Sequence, residues 1–302
     1  MTSGPSPEVS LIMPVWRPNR SWLRDAVASV LDERGCELEL IVVDDGNDEP
    51  TQSLLDGVAD DRVRVLRFEH RGVYSARNDG LSSARGEWIR YVDADDVVAA
   101  GSTARLLGLA RDRPDTISYG VTVMCDEDLQ PLSEIFTAVD GSAEELCVTA
   151  AFDVRVVSML FPRRTLELAG EWDSSFGISG DWEYVLRTLE HAAVRGDDSP
   201  TTYYRRHRDS MTLTADVRAG EEAWRKILDG YFERHPEKQG SELQRRAERK
   251  LLVDRANAYA HIGERRQALV RLARLLRVDV RAGSALALEW SRRAVSRRLR
   301  RR

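Results

Sequence analysis

Trp88-Ile-Arg-Tyr-Val-Asp-Ala-Asp-Asp96 is an apolar run that stops abruptly at Asp93, Asp95 and Asp96. Such a run reads as a buried strand carrying acids to its carboxyl end, the edge of an open α/β sheet where ligands bind. Acids crowded there repel one another unless a positive charge is shared among them. A hard divalent cation does this well, and Mg²⁺ is usually held by one or two carboxylates together with substrate phosphates. The stretch therefore predicts a metal and diphosphate site. The competing reading is a solvated acidic turn or cap ahead of a helix expected near Ser102.

Working outward, three earlier runs share the pattern: Val9-Ser-Leu-Ile-Met-Pro14, Leu38-Glu-Leu-Ile-Val-Val43 ahead of Asp44-Asp45-Gly46, and Val63-Arg-Val-Leu-Arg-Phe68. Between them Trp22, Leu23, Ala26, Val27, Val30 and Leu31 recur at helical spacing behind Asn19 or Ser21 as caps. A weaker helix passes through Leu54 and Leu55, and Val73, Ala76, Leu81 and Ala84 form another stripe that Gly80 weakens. Strands alternating with helices are βαβ units, which predicts an α/β fold with a mostly parallel sheet flanked by helices. Pro14, Asp44, Asp45, Asp93 and Asp95 then converge at strand carboxyl ends.

Downstream, the pattern predicts a helix over 102–112, a strand over 116–124, loop with one short helix over 125–151, a strand over 154–161 and a helix over 163–169 stopped by Gly170. Glu171-Trp-Asp-Ser-Ser-Phe-Gly-Ile-Ser-Gly-Asp-Trp-Glu183 has the composition of a binding loop and runs into an amphipathic helix over 184–189. Asp181 thus sits near a helix start, where the dipole favours an ionised carboxylate. Residues 201–212 begin β-like and end basic and hydroxyl-rich. There His207 stands among arginines near Ser210 and Thr212, and either contacts phosphate or metal or is a plain surface histidine. From 216 on the chain reads as helical, with segments 216–234, 241–262, 264–276 and 283–299. The division expected is 1–214 for the α/β domain and 215–302 for an all-α extension.

Composition sets the bounds. A chain of 302 residues at 42% hydrophobic content buries a substantial core. No run of 18 apolar residues occurs, and the first residues lack the charged-then-apolar pattern of a secretory signal, so a cytoplasmic protein is expected. Cys36, Cys125 and Cys147 are odd in number and lack ligand spacing, which suits reduced thiols rather than a disulfide framework. The net charge of −5 hides an asymmetry, because residues 281–302 hold eight arginines against Glu289 alone. That +7 tail, with Leu286, Leu288, Trp290, Val295 and Leu299 interleaved, suits peripheral contact with an anionic membrane at the inner face of the cell. Nucleic acid is not expected as a partner, and homo-oligomerisation is left open.

In this order the motifs resemble the family 2 glycosyltransferases, inverting enzymes with the nucleotide-diphospho-sugar (GT-A, Rossmann-like) fold. The resemblance covers about 9–212. It rests on the Pro14-Val15-Trp16 turn, Asp44-Asp45-Gly46, Ser75-Ala-Arg-Asn-Asp-Gly80, Asp93-Ala-Asp-Asp96 and Gly180-Asp181-Trp-Glu-Tyr-Val-Leu-Arg187. Two positions depart: Gly180 stands where that family usually has Glu, and Asn47 where Ser is commoner. The resemblance implies a metal-dependent transferase that moves a sugar from a nucleotide-diphospho-sugar, a UDP-sugar being favoured, to a hydroxyl of a glycan, glycolipid or other glycoconjugate.

It further implies Asp181 as general base, and Asp95, Asp93 and His207 as holders of Mn²⁺ or Mg²⁺. Pro14, Val15, Asp44, Asp45, Arg77, Asn78, Asp93 and Ala94 fall on the donor side. Arg77 either adds charge near the nucleotide or pairs with Asp44 or Asp45. Trp172, Trp182 and Glu183 are acceptor candidates, with core packing as the competing reading for the aromatics. Two rivals remain: a sugar nucleotidyltransferase on the same fold, and a non-catalytic scaffold binding a partner through its C-terminal helices. Pro14-Val-Trp-Arg-Pro-Asn19 lacks the Gly-rich loop expected of the first. The intact Asp93, Asp95 and Asp181 argue against the second.

Overall fold

The computed structural model describes residues 6–208, 210 and 216–299, with 293–299 by backbone alone. Thr212 and the side chains of Val295 and Leu299 thus lie outside the described residues. The chain forms two compact units, one built from residues up to 210 apart from 148–150, the other from 216 onward with 148–150.

In the first unit the elements run β1 (Val9–Val15), α1 (Arg20–Leu31), β2 (Leu38–Asp45), α2 (Thr51–Leu54), β3 (Val63–Phe68), α3 (Val73–Ser83), β4 (Trp88–Tyr91), β5 (Val97–Val98), α4 (Ser102–Ala110) and β6 (Thr116–Cys125). Then follow β7 (Pro131–Ile135), β8 (Asp140–Gly141), α5 (Glu144–Val148), β9 (Met159–Pro162), α6 (Arg163–Ala169), α7 (Gly180–Leu189) and β10 (Ala193–Arg205). The sheet order is β3-β2-β1-β4-β9-β6-β10-β5, with β7 on β6 and β8 on β10. The long ladders β3-β2-β1-β4 and β6-β10 are parallel, while β9 joins the two groups antiparallel to both.

The apolar runs become strands because both sheet faces are covered: every residue of β2 and of β4 is buried. Leu23, Ala26, Val27 and Val30 turn the inner face of α1 onto that core, and Asn19 caps the helix by accepting from the Ser21 and Trp22 amides. Gly80 does not end α3. A Cβ there would stand 2.4 Å from Ile12 Cγ2, so the glycine lets the helix lie close on β1.

Three expectations need correction. The span 125–151 contains β7 and β8 besides its short helix, two strands defined by pairing rather than by an apolar pattern. The strand expected over 154–161 begins as a 3-10 turn at Val156–Ser158 and becomes extended at Met159. The β-like segment starting at 201 is the second half of β10, whose polar first half, Ala193 to Pro200, follows β6 through register shifts.

The second unit holds α8 (Val217–Arg234), α9 (Glu242–His261), α10 (Arg265–Val278) and α11 (Val280–Leu299). Leu252, Ala256, Leu272, Leu275 and Leu286 form its core. Leu286 is therefore buried, and Trp290 packs on the same core and donates Nε1–H to Asn257 Oδ1 at 2.9 Å. These two do not face outward as the tail reading requires. Among the described residues no helix is long and apolar enough to cross a membrane.

Candidate active site

At the carboxyl end of β4 the chain turns through Asp93, Asp95 and Asp96, and the end of β10 holds that turn in place. Buried Arg205 donates its backbone N–H to Asp96 Oδ1 at 2.8 Å and its Nε–H to the Asp95 carbonyl at 2.9 Å. Two residues on, His207 Nε2 lies 2.9 Å from Asp95 Oδ2. Burial, reinforced by Asp95 and Asp93, pushes Asp96 well above the usual carboxylate range, and its Oδ1 serves the turn's framework by accepting from Arg205.

Among the described residues no three His, Cys, Asp or Glu side chains converge as a metal cage. The donor set present is two-sided, Asp95 with His207, and Asp93 close by. That fits a hard cation completing its shell with phosphate oxygens and water better than one enclosed by protein.

Arg77 joins this turn to the start of α7. Its Nη2 donates to Asp93 Oδ1 at 3.1 Å and its Nη1 to Asp181 Oδ1 at 2.6 Å. The arginine is 3% exposed, with Tyr74, Tyr91 and Trp172 as aromatic neighbours whose ring centroids lie 5.8, 5.7 and 4.6 Å from Cζ. Burial alone would loosen its proton, but the Asp181 and Asp93 carboxylates more than offset this and hold it above the ordinary range. Burial, seconded by Asp95 and Asp181 and opposed by Arg77, pushes Asp93 up to about 6.

Asp181 is not a helix cap. Ser179 occupies that position, and the Asp181 side chain, 47% exposed, reaches Arg77 through Oδ1 while Oδ2 takes no hydrogen bond among the described residues. One anchored oxygen fixes the orientation of the carboxylate, and the other faces away from that bond.

The residue before it explains its own identity. A Cβ at Gly180 would stand 2.6 Å from Cζ of Tyr74, whose hydroxyl donates to the Gly177 carbonyl at 2.7 Å. The ring fills the space into which a side chain at 180 would project.

Several expected site residues have other work. Both Asp44 oxygens accept from the turn that follows, Oδ1 from the Asn47 amide and Nδ2, Oδ2 from the Thr51 amide; with Arg67 adding charge, these bonds overcome burial and keep it below its ordinary range. Asp45 gathers the 70–72 segment, accepting from the Arg71 and Gly72 amides and contacting His70 Nδ1. Arg77 pairs with neither, which removes one of its two expected readings. Asn78 donates to the Trp172 carbonyl and accepts from its amide, at 3.1 and 2.9 Å.

Trp172 is buried, stacked on Tyr184 at 3.8 Å, with its Nε1–H donated to Tyr91. Core packing, not acceptor contact, is therefore its role. Glu183 is also buried and forks onto Arg187 through both oxygens, at 2.6 and 2.8 Å. Trp182 donates Nε1–H to the Cys147 carbonyl. Pro14 and Val15 end β1 beside Val43 and Asp44, and Ala94 packs against the core.

Sequence reading missed Arg205, Tyr74, Tyr91 and a surface stack in which Trp16, 39% exposed, lies 3.7 Å from His70. Tyr74 alone left a trace, standing three residues before Arg77 and so on the same helix face.

Comparison with known proteins agrees with this architecture. The family described as glycosyl transferase family 2 matches residues 10–138. An uncharacterized glycosyltransferase of Haemophilus influenzae is 25% identical over 165 residues, 54% of this chain and 65% of the relative. The putative glycosyltransferase EpsH of Bacillus subtilis is 25% identical over 187 residues, 60% of this chain and 53% of the relative. The succinoglycan biosynthesis protein ExoO of Rhizobium meliloti is 33% identical over 102 residues, 33% of this chain and 29% of that one. The chain thus spans less than two thirds of these relatives' lengths. Among solved structures, S. aureus TarS 1-349 in complex with UDP-GlcNAc superposes with a TM-score of 0.62 at 15% identity, covering 92% of this chain and 83% of that one. The family match starts in β1 and runs past the acidic turn after β4, so residues 10–138 are similar to glycosyl transferase family 2, and the chain has a GT-A-like fold.

Proposed function

We propose that the chain transfers a sugar from a nucleotide-diphospho-sugar to an acceptor hydroxyl with inversion, using Asp181 as general base and a divalent cation at Asp95 and His207. The observation that carries this reading is the Arg77 fork, which fixes Asp181 and the strand-end acid Asp93 on one rigid group. Bond breaking leaves negative charge on the diphosphate, so the site needs positive charge on that side. A cation held by Asp95 and His207 would supply it. Asp181 Oδ2 accepts the hydroxyl proton as the acceptor oxygen attacks the anomeric carbon from the face opposite the diphosphate. The anomeric C–O bond breaks, its electron pair leaves with the nucleoside diphosphate, and one displacement inverts the centre. Asp93 and the backbone of Pro14, Val15 and Ala94 are the donor-side groups in this reading, while Asp44, Asp45 and Asn78 act by shaping the loops around it.

A UDP-sugar is the favoured donor, in keeping with the UDP-GlcNAc bound by the TarS neighbour. A glycan acceptor is in keeping with the succinoglycan biosynthesis named for one relative. The test is a thermal-shift panel of sugar nucleotides with and without Mn²⁺, followed by measurement of nucleoside diphosphate release. Ligand at a hundred times its Kd adds about 2.7 kcal/mol, a clear shift. No shift with any sugar nucleotide, and no diphosphate release, would refute the assignment.

A further inference from the structure

α10 presents a face that the helical unit's own core does not use. The helix contains Arg265, Arg266, Arg271, Arg274 and Arg277 and no acidic residue. Ala268, Leu272 and Leu275 are its buried positions, and Arg271 reaches Glu221 at 2.8 Å. On the outer side Leu269 is 58% exposed and Val270 39%, while Leu276, 36% exposed, packs with its inner edge against Gly283 of α11. At about 100° per residue, Leu269, Ala273 and Leu276 fall within roughly 60° of arc, bordered by Arg265 on one edge and by Arg266 and Arg277 on the other. Arg265, Arg266, Arg274 and Arg277 form no ion pair among the described residues.

Exposed leucines flanked by unpaired guanidiniums, with no acid on the helix, form the pattern of an element that lies in a membrane interface. The apolar side chains enter the acyl boundary, and the long arginines cover the border while their charged heads stay with lipid phosphates. A second copy of this chain is a poor occupant, because apposing two such faces brings unpaired arginines against one another. Nucleic acid would engage the arginines but gives the leucines nothing to bury against. We propose that α10, rather than the arginine-rich tail beyond it, docks the chain on an anionic lipid surface. This goes beyond the catalytic reading and does not depend on it.

The test is co-sedimentation of the full chain with vesicles of phosphatidylcholine alone and of equimolar phosphatidylcholine and phosphatidylglycerol. The wild type should pellet with the anionic vesicles only. The Leu269→Glu variant should lower partition at least about tenfold, the loss worth about 1.4 kcal/mol. Arg266→Glu/Arg277→Glu should do the same, and Leu288→Glu on α11 should leave partition unchanged. All the substituted side chains lie at the surface, so matching melting temperatures show that the fold is intact. Equal pelleting by the leucine variant, or a loss seen only with Leu288→Glu, would overturn the proposal. So would a self-associated wild type that the leucine variant makes monomeric, or tighter binding to single-stranded RNA than to the anionic vesicles.

Discussion

Replacing Arg77 by methionine keeps much of the side chain's length but removes the cation held between Asp93 and Asp181. Taking one partner from a fully buried ion pair costs about 3–5 kcal/mol, whereas a pair at the surface is worth about 0–1. Here the arginine is 3% exposed, but Asp93 is 28% and Asp181 47% exposed, so water can take over part of the solvation of both acids once the guanidinium is gone. A loss near 2 kcal/mol is expected. At about 2–4 °C per kcal/mol for a unit of this size, the melting temperature should fall by about 4–8 °C.

Arg77→Lys separates stability from geometry. It keeps a charge inside the aromatic cage, but one ammonium cannot reproduce a fork that reaches two carboxylates at once. It should therefore melt closer to the wild type while releasing nucleoside diphosphate from the cognate donor about 10²-fold more slowly, the scale on which a misplacement of about 1 Å acts. Differential scanning fluorimetry and diphosphate release on the same preparations give both numbers. If Arg77→Met melts within about 1 °C of wild type, or Arg77→Lys turns over at the wild-type rate, the fork is not the frame of the site.

Asp181→Asn should keep sugar-nucleotide affinity within a few-fold in calorimetric titration, yet lower turnover by at least about 10²; a variant retaining more than a tenth of the rate would place the base elsewhere. Gly180→Ala forces a Cβ onto the Tyr74 ring and should destabilise by about 1–3 kcal/mol, while Gly180→Ala made in a Tyr74→Ala background should add little further loss, which melting curves of the three variants decide. Asp93, held at about 6 in the fold against about 3.9 unfolded, binds more protons in the native state between those values. Its contribution therefore makes stability fall as pH rises from about 4 to about 6, and a cation, which binds the ionised form, should recover that loss. Melting curves across this window with EDTA and with Mn²⁺ test it, and Asp93→Asn should flatten the difference.

The sheet was legible where burial dictates sequence. β1, β2 and β4 are covered on both faces, so they must be written as apolar runs, and the acids after them mark their ends. β7 is an exposed edge, β5 and β8 are two residues each, and the first half of β10 is polar and irregular. Their extended form comes from partners far along the chain, which local pattern does not encode. At the candidate site, Asp93, Asp95, Asp181 and His207 could be singled out because each stands at or near an element's end, and the structure brings Asp95 to His207 and Asp93 to Asp181 through Arg77. Asp44 stands at one too, and nothing local distinguishes a carboxylate that meets a ligand from one whose oxygens accept Asn47 and Thr51 amides. Glu183 and Arg187 could have been separated from the site, since opposite charges four apart on a helix meet each other first.

The Gly180 departure shows most clearly what spacing cannot convey. Read alone, a glycine ahead of Asp181 suggests only a carboxylate lost from the site. In three dimensions the position is filled from another element, because Tyr74 on α3 lays its ring over Gly180 and ties its hydroxyl to Gly177. The same ring borders the Arg77 guanidinium, whose fork holds Asp181. A larger residue at 180 would displace Tyr74, loosen the cage around Arg77 and so move the carboxylate one position further on. Residues 74, 77, 180 and 181 are thus one mechanical unit assembled from two helices more than a hundred residues apart. Glycine at 180 is the residue that lets them close.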